Sequence, residues 1–79
     1  MDRPIEVVCY AGGQPEERPE AVVVEGERRR VEAVIRRWIE EGRDRAAGRR
    51  RWFAVRLSDG SAATIYRDEA LDLWFMREK

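Results

Sequence analysis

The stretch ERRRVEAVIRRWIEE, residues 27–41 of a 79-residue chain, decides the fold. Its Val31, Val34, Ile35, Trp38 and Ile39 stand at offsets 0, 3, 4, 7 and 8, which is the amphipathic-helix template. Gly42 follows where a helix-terminating glycine would sit, and neither Gly nor Pro interrupts the run. On periodicity alone the segment reads as one helix over 28–41, in an α+β domain. Its β-branched content points the other way, and so does Glu25-Gly26, which read as a hairpin turn sets 27–31 against 21–24. As a strand, Val31, Ala33 and Ile35 share a face, and a bulge near Val34 would return Trp38 to that face.

The rest of the chain reads as strands on either side of this segment. Residues 5–10 are apolar and β-branched between Pro4 and Gly12-Gly13, and residues 21–24 form a second short strand. Residues 11–20 are a polar loop, and no Lys, Ser or Thr follows Gly12-Gly13 at phosphate-loop spacing. From 52 to 58, Phe53, Val55 and Leu57 alternate with Trp52, Ala54 and Arg56. Asp59-Gly60 predicts a two-residue hairpin turn into a partner strand over 62–67. Residues 71–76 alternate again, with Leu71, Leu73 and Phe75 on one face and Trp74 and Met76 on the other. Two apolar faces on one strand call for a sheet that curls over both.

Length and composition limit the chemistry. The chain makes one domain, residues 1–79, which buries roughly 60–65% of its unfolded surface. It contains no histidine, which excludes Ser-His and Cys-His catalysis. The lone Cys9 has no disulfide partner in the chain and reads as a small core residue, and a structural zinc site lacks ligands. Asp68-Glu69 and Glu40-Glu41 are adjacent acids that diverge on a strand, so neither pair forms an acid/base couple. These features predict a non-enzymatic chain with no cofactor and no metal. The apolar runs are far shorter than the ~20 residues of a membrane span. Met1-Asp2-Arg3-Pro4 opens no hydrophobic leader, so the expected location is the cytoplasm, with no membrane partner.

Sixteen basic and sixteen acidic side chains give a formal net charge of zero. By segment the charge is −5 over 1–27, +7 over 28–56 and −2 over 57–79. Fifteen of the sixteen basic residues are arginine.

Three segments carry a family resemblance. They are the run Val31-Glu32-Ala33-Val34-Ile35-Arg36-Arg37-Trp38 after a hairpin, the strand Arg51-Trp52-Phe53-Ala54-Val55, and the ending with Gly60, Tyr66-Arg67-Asp68 and Trp74. From residue 21 onward the sequence resembles a small bacterial domain family of unknown function, often encoded beside Y-family translesion DNA polymerases. That family places an aromatic pair after the glycine following the first Trp. Here the stretch is Gly42-Arg43-Asp44-Arg45-Ala46-Ala47-Gly48, so any role of the pair does not carry over. The resemblance implies a mainly β domain and turns the 27–41 decision toward a bent, bulged strand. The expected fold is therefore all-β, with about six short antiparallel strands curled into a small partial barrel.

The candidate binding site is the 42–51 loop and its neighbour: Arg43, Arg45, Arg49, Arg50, Arg51 and Trp52. Arginine forks bind phosphate and an aromatic ring stacks on a base, which together suit single-stranded nucleic acid. The competing reading pairs these arginines with acids of the flanking segments. The expected function is an accessory module of bacterial DNA metabolism that contacts nucleic acid or a polymerase-associated protein. The alternative is a small protein-interaction or structural domain with no nucleic-acid role. Trp38, Trp52 and Trp74 read as packing residues before ligand platforms.

Overall fold

The computed structural model describes residues 2–10, 18–42 and 48–78. Six strands follow one another: β1 (Asp2–Tyr10), β2 (Arg18–Val24), β3 (Glu27–Glu41), β4 (Arg49–Leu57), β5 (Ala62–Asp68) and β6 (Leu73–Arg77). Each pairs antiparallel with the next, and β6 returns to β1, so the sheet closes as an all-β up-and-down barrel. Full closure goes one step past the partial barrel expected.

The helix-like spacing in 27–41 has a physical cause. Pairing of β3 with β4 shifts register between Val31 and Ala33 and again between Val34 and Arg36. Each bulge adds a residue and resets the two-residue alternation. Val31 and Val34, three apart, therefore both pack on the core. The side chains separated by these bulges differ from the strand expectation. Ala33 stands opposite the exposed Arg56, Ile35 is 57% exposed, and Trp38 lies opposite Trp52 instead of rejoining the core.

The barrel interior holds Val22, Phe53, Val55, Leu57 and Ile65, with Ile5, Val7, Val24, Val31, Val34, Trp74 and Met76 packed around them. Trp74 meets Phe53 with ring centroids 5.7 Å apart. Leu71 falls in the turn before β6, and both it and Leu73 are exposed. Cys9 is half-buried.

Two turns set the register. Glu25 and Gly26 have φ of 52° and 81°, the pair of positive angles of a type I′ hairpin, whose twist matches the strands it joins. The Asp59-Gly60 turn is one residue longer than predicted. Leu57 N–H donates to the Ser61 carbonyl and Gly60 N–H to the Leu57 carbonyl, leaving 58–60 as a three-residue loop with Gly60 at φ 88°. The Asp59 carboxylate accepts from the Ser61 hydroxyl and N–H, and these bonds hold it below the ordinary range.

Candidate nucleic-acid interface

β4 carries the candidate residues at its N-terminal end. Arg43 and Arg45 lie outside the described residues. Arg49, Arg50 and Arg51 alternate across the strand, and acids on neighbouring strands meet all three. Arg49 and Arg51 both reach Glu69, at 3.2 and 2.5 Å, from opposite carboxylate oxygens. The Arg51 hydrogen bond is the main reason the Glu69 carboxyl titrates below its usual range. Partial desolvation opposes it, and the charges of Arg49 and Arg51 add to it. Arg50 sits between Glu40 at 3.7 Å and Asp68 at 3.9 Å. The register explains this, because Glu40, Arg50 and Asp68 are direct cross-strand partners on β3, β4 and β5.

Asp68 is the buried acid of the barrel, 8% exposed. Its Oδ1 accepts from the Ala70 and Leu71 N–H groups at 3.0 and 3.1 Å and so closes the β5–β6 turn. Asp68→Ala leaves those donors without that acceptor and is expected to cost about 1–3 kcal/mol in equilibrium unfolding. Asp68→Asn, which keeps an acceptor, should cost less.

Trp52 belongs to a feature that the sequence did not show. Trp38, Trp52, Tyr66 and Phe75 are successive cross-strand partners on β3, β4, β5 and β6. They form one transverse row on the barrel's outer face, since Phe53 and Ile65 beside them point inward. Trp38 and Trp52 are stacked within 2° of parallel at 5.7 Å, Trp52 and Tyr66 lie at 4.4 Å, and Tyr66 and Phe75 stack at 5.3 Å. Trp52 Nε1 donates to Glu40 Oε1 at 3.3 Å.

Three guanidinium groups roof the row. Arg36 lies 5.1 Å over Trp38, Arg77 5.5 Å over Trp52 and Arg50 5.1 Å over Tyr66. Each is a cation–π contact. Under this roof Trp52 is 6% exposed and Tyr66 4%, so both are buried on the outside of the barrel.

The central positive charge is therefore divided. Arg29, Arg49, Arg50 and Arg51 are ion-paired, whereas Arg28, Arg30 and Arg56 have no ion pair among the described residues. Arg28 and Arg30 stand opposite Val23 and Ala21, while Arg29 pairs with Glu27 and Asp59, so the triplet splits between faces as strand alternation requires.

Sequence reasoning found Trp52 and Arg50 but missed Trp38, Tyr66, Phe75, Arg36 and Arg77 as their companions. The signal was present as aromatic residues at outward positions of consecutive strands, legible once the hairpin registers are known. Comparison with family models, curated proteins and solved structures finds no match for the chain.

Proposed function

We propose that the chain is a non-enzymatic binding module that takes single-stranded nucleic acid along the outer aromatic row. The observation that carries this reading is the coincidence of a row of four aromatic residues in ring contact with three overlying arginines on the outer face of the barrel. Aromatic rings offer stacking faces that tolerate any base, and arginine forks suit phosphate. In the unbound barrel the guanidinium groups occupy the rings. A strand laid across the row draws Arg36, Arg50 and Arg77 to its phosphates and places bases where they lay. The resemblance to a family encoded beside translesion polymerases supports a place in bacterial DNA metabolism. Arg49 and Arg51, both held by Glu69, serve the β4–β5 edge in this reading and contribute little to binding.

The test is fluorescence anisotropy with a labelled single-stranded oligonucleotide across a salt series. The triple variant Arg36→Ala, Arg50→Ala, Arg77→Ala should weaken binding at least tenfold. It should also flatten the slope of log K against log salt by about 2, from three lost contacts at about 0.7 each. Arg49→Ala with Arg51→Ala should change affinity by less than about fivefold, the equivalent of the about 1 kcal/mol that a surface ion pair contributes at most. Absence of binding at low salt would overturn the proposal. The ion pairing of Arg49, Arg50 and Arg51 and the net charge of zero favour a second reading in that event, a protein-interaction domain with no nucleic-acid role.

A further inference from the structure

β3 is longer than its partner on one side. It pairs with β2 only over residues 27–30, while its pairing with β4 runs on to Glu41 opposite Arg49. Along residues 31–41 the edge turned away from β4 has no strand partner among the described residues. The two bulges distort its first part, and from Arg36 to Glu41 the pairing with β4 is regular. Unpaired strand edges present backbone donors and acceptors ready to template another strand. Proline and inward-turned charge commonly blunt such edges. This one has no proline, and Ile35 and Ile39 on it are 57% and 54% exposed.

We propose that this edge pairs antiparallel with the same edge of a second copy, about a twofold axis passing through Trp38. Two arguments select the second copy and the register. Directly opposed residues in an antiparallel pair point to one face, so a sheet that keeps its outer face continuous opposes residues whose numbers are both odd or both even. An axis at Arg37 sets Arg37 against its own copy, like charge on like. An axis at Ile39 keeps only residues 37–41 in the paired stretch. An axis at Trp38 pairs residues 35–41 and sets each Arg36 opposite Glu40 of the second copy, giving two reciprocal ion pairs. The Arg36 and Glu40 side chains are both exposed. Arg36 lies over Trp38, and Glu40 meets Arg50 at 3.7 Å and the Trp52 indole, so each would add the new pair to a contact it already makes.

The same register joins the two aromatic rows end to end, Trp38 against Trp38. The contact is isologous and closes on itself, so the product is a dimer and not a fibre. It depends on the edge and its charges and does not require the row to bind nucleic acid; a bound strand would compete with Glu40 of the second copy for Arg36.

Sedimentation equilibrium of the wild-type chain should show a monomer–dimer equilibrium, and a monomer at every accessible concentration would overturn the proposal. Arg36→Glu opposes two acids at each contact and Glu40→Arg opposes two bases, so each should weaken dimerisation at least tenfold. An equimolar mixture of the two variants restores both ion pairs and should dimerise like the wild type. Variants that dimerise normally alone, or a mixture of folded variants that stays monomeric, would overturn it.

Glu40→Arg also removes the Trp52 hydrogen-bond partner, so a second probe is independent of it. In a Cys9→Ser background, Trp38→Cys places one thiol on the axis. Opposed Cα atoms in such a pair lie about 4.5–5.5 Å apart, within disulfide reach. Mild oxidation should give a covalent dimer from Trp38→Cys and little from Ile35→Cys. Equal crosslinking at both positions would overturn the register.

Discussion

Trp52→Ala is expected to destabilise the barrel by about 3–5 kcal/mol, the range for truncating a fully buried large aromatic. A domain of 79 residues has about 4–12 kcal/mol of stability in total, so the loss takes a quarter of it at the least and all of it at the low end of the range. The magnitude follows from position. Trp52 is 6% exposed, stacks on Trp38, meets Tyr66 at a tilt of 37°, and donates to Glu40. Removing it opens the middle of the outer row and strips Arg77 of the ring it covers. Trp38→Ala, at the half-buried end of the row, is expected to cost about 1–2 kcal/mol from the smaller area returned to water. Urea denaturation followed by circular dichroism measures both. The contrast tests whether the row is a second packed layer. Equal, small losses would mean that the rings contribute little to stability and that Trp52 is held for a ligand alone. A chain this short has a thin interior, and a layer outside the sheet adds apolar burial that the barrel lumen cannot hold.

What the sequence made legible was the alternation within strands. Phe53, Val55 and Leu57 share one face as read, and that face turns inward; all six strands formed. Residues 27–41 were harder because two bulges imitate helical spacing. A strand that gains a residue twice in five positions brings apolar side chains to one face at a separation of three, as a helix does. Only the pairing partner separates the two, and pairing is not local. The aromatic row was hidden by one residue in a turn. A two-residue loop at Asp59-Gly60 would set Trp52 opposite Arg67, while the three-residue loop sets it opposite Tyr66. Because the side-chain period is two, that single step decides which residues share a face. The arginine cluster was legible as composition but not as electrostatics. Asp68 and Glu69 lie far along the chain from Arg49, Arg50 and Arg51, and the β4–β5 register brings them together.

The barrel should lose stability at alkaline pH through Tyr66. Its hydroxyl donates to Asp2 Oδ2 at 2.6 Å. Burial, first, and then the hydrogen bond and charge of Asp2 push the phenol from its ordinary 10 up to about 12, against a smaller opposing effect of Arg50. The folded state therefore favours the neutral phenol more than the unfolded chain does. That preference contributes fully below pH 10, where both states are protonated, and is lost as pH rises from 10 to 12. A shift of about two units corresponds to at most about 3 kcal/mol. The location matters as much as the size. β1 meets β6 through only four residue pairs, Asp2 to Ile5, and this seam closes the barrel. The Tyr66–Asp2 bond crosses it from β5, spanning β6 to fasten the first residue of β1. Ionising Tyr66 sets a phenolate against a carboxylate at the point of closure, so β1 should be the first strand released. The chain has two tyrosines, and Tyr10→Phe leaves Tyr66 as the single phenol whose ultraviolet titration can be followed. In that background ionisation should come near pH 12 in the folded protein, with hydrogen exchange rising first in β1. Tyr66→Phe should cost stability at neutral pH but show a flatter alkaline limb. A folded-state titration near pH 10, or an alkaline limb unchanged in Tyr66→Phe, would show that the seam is not held this way.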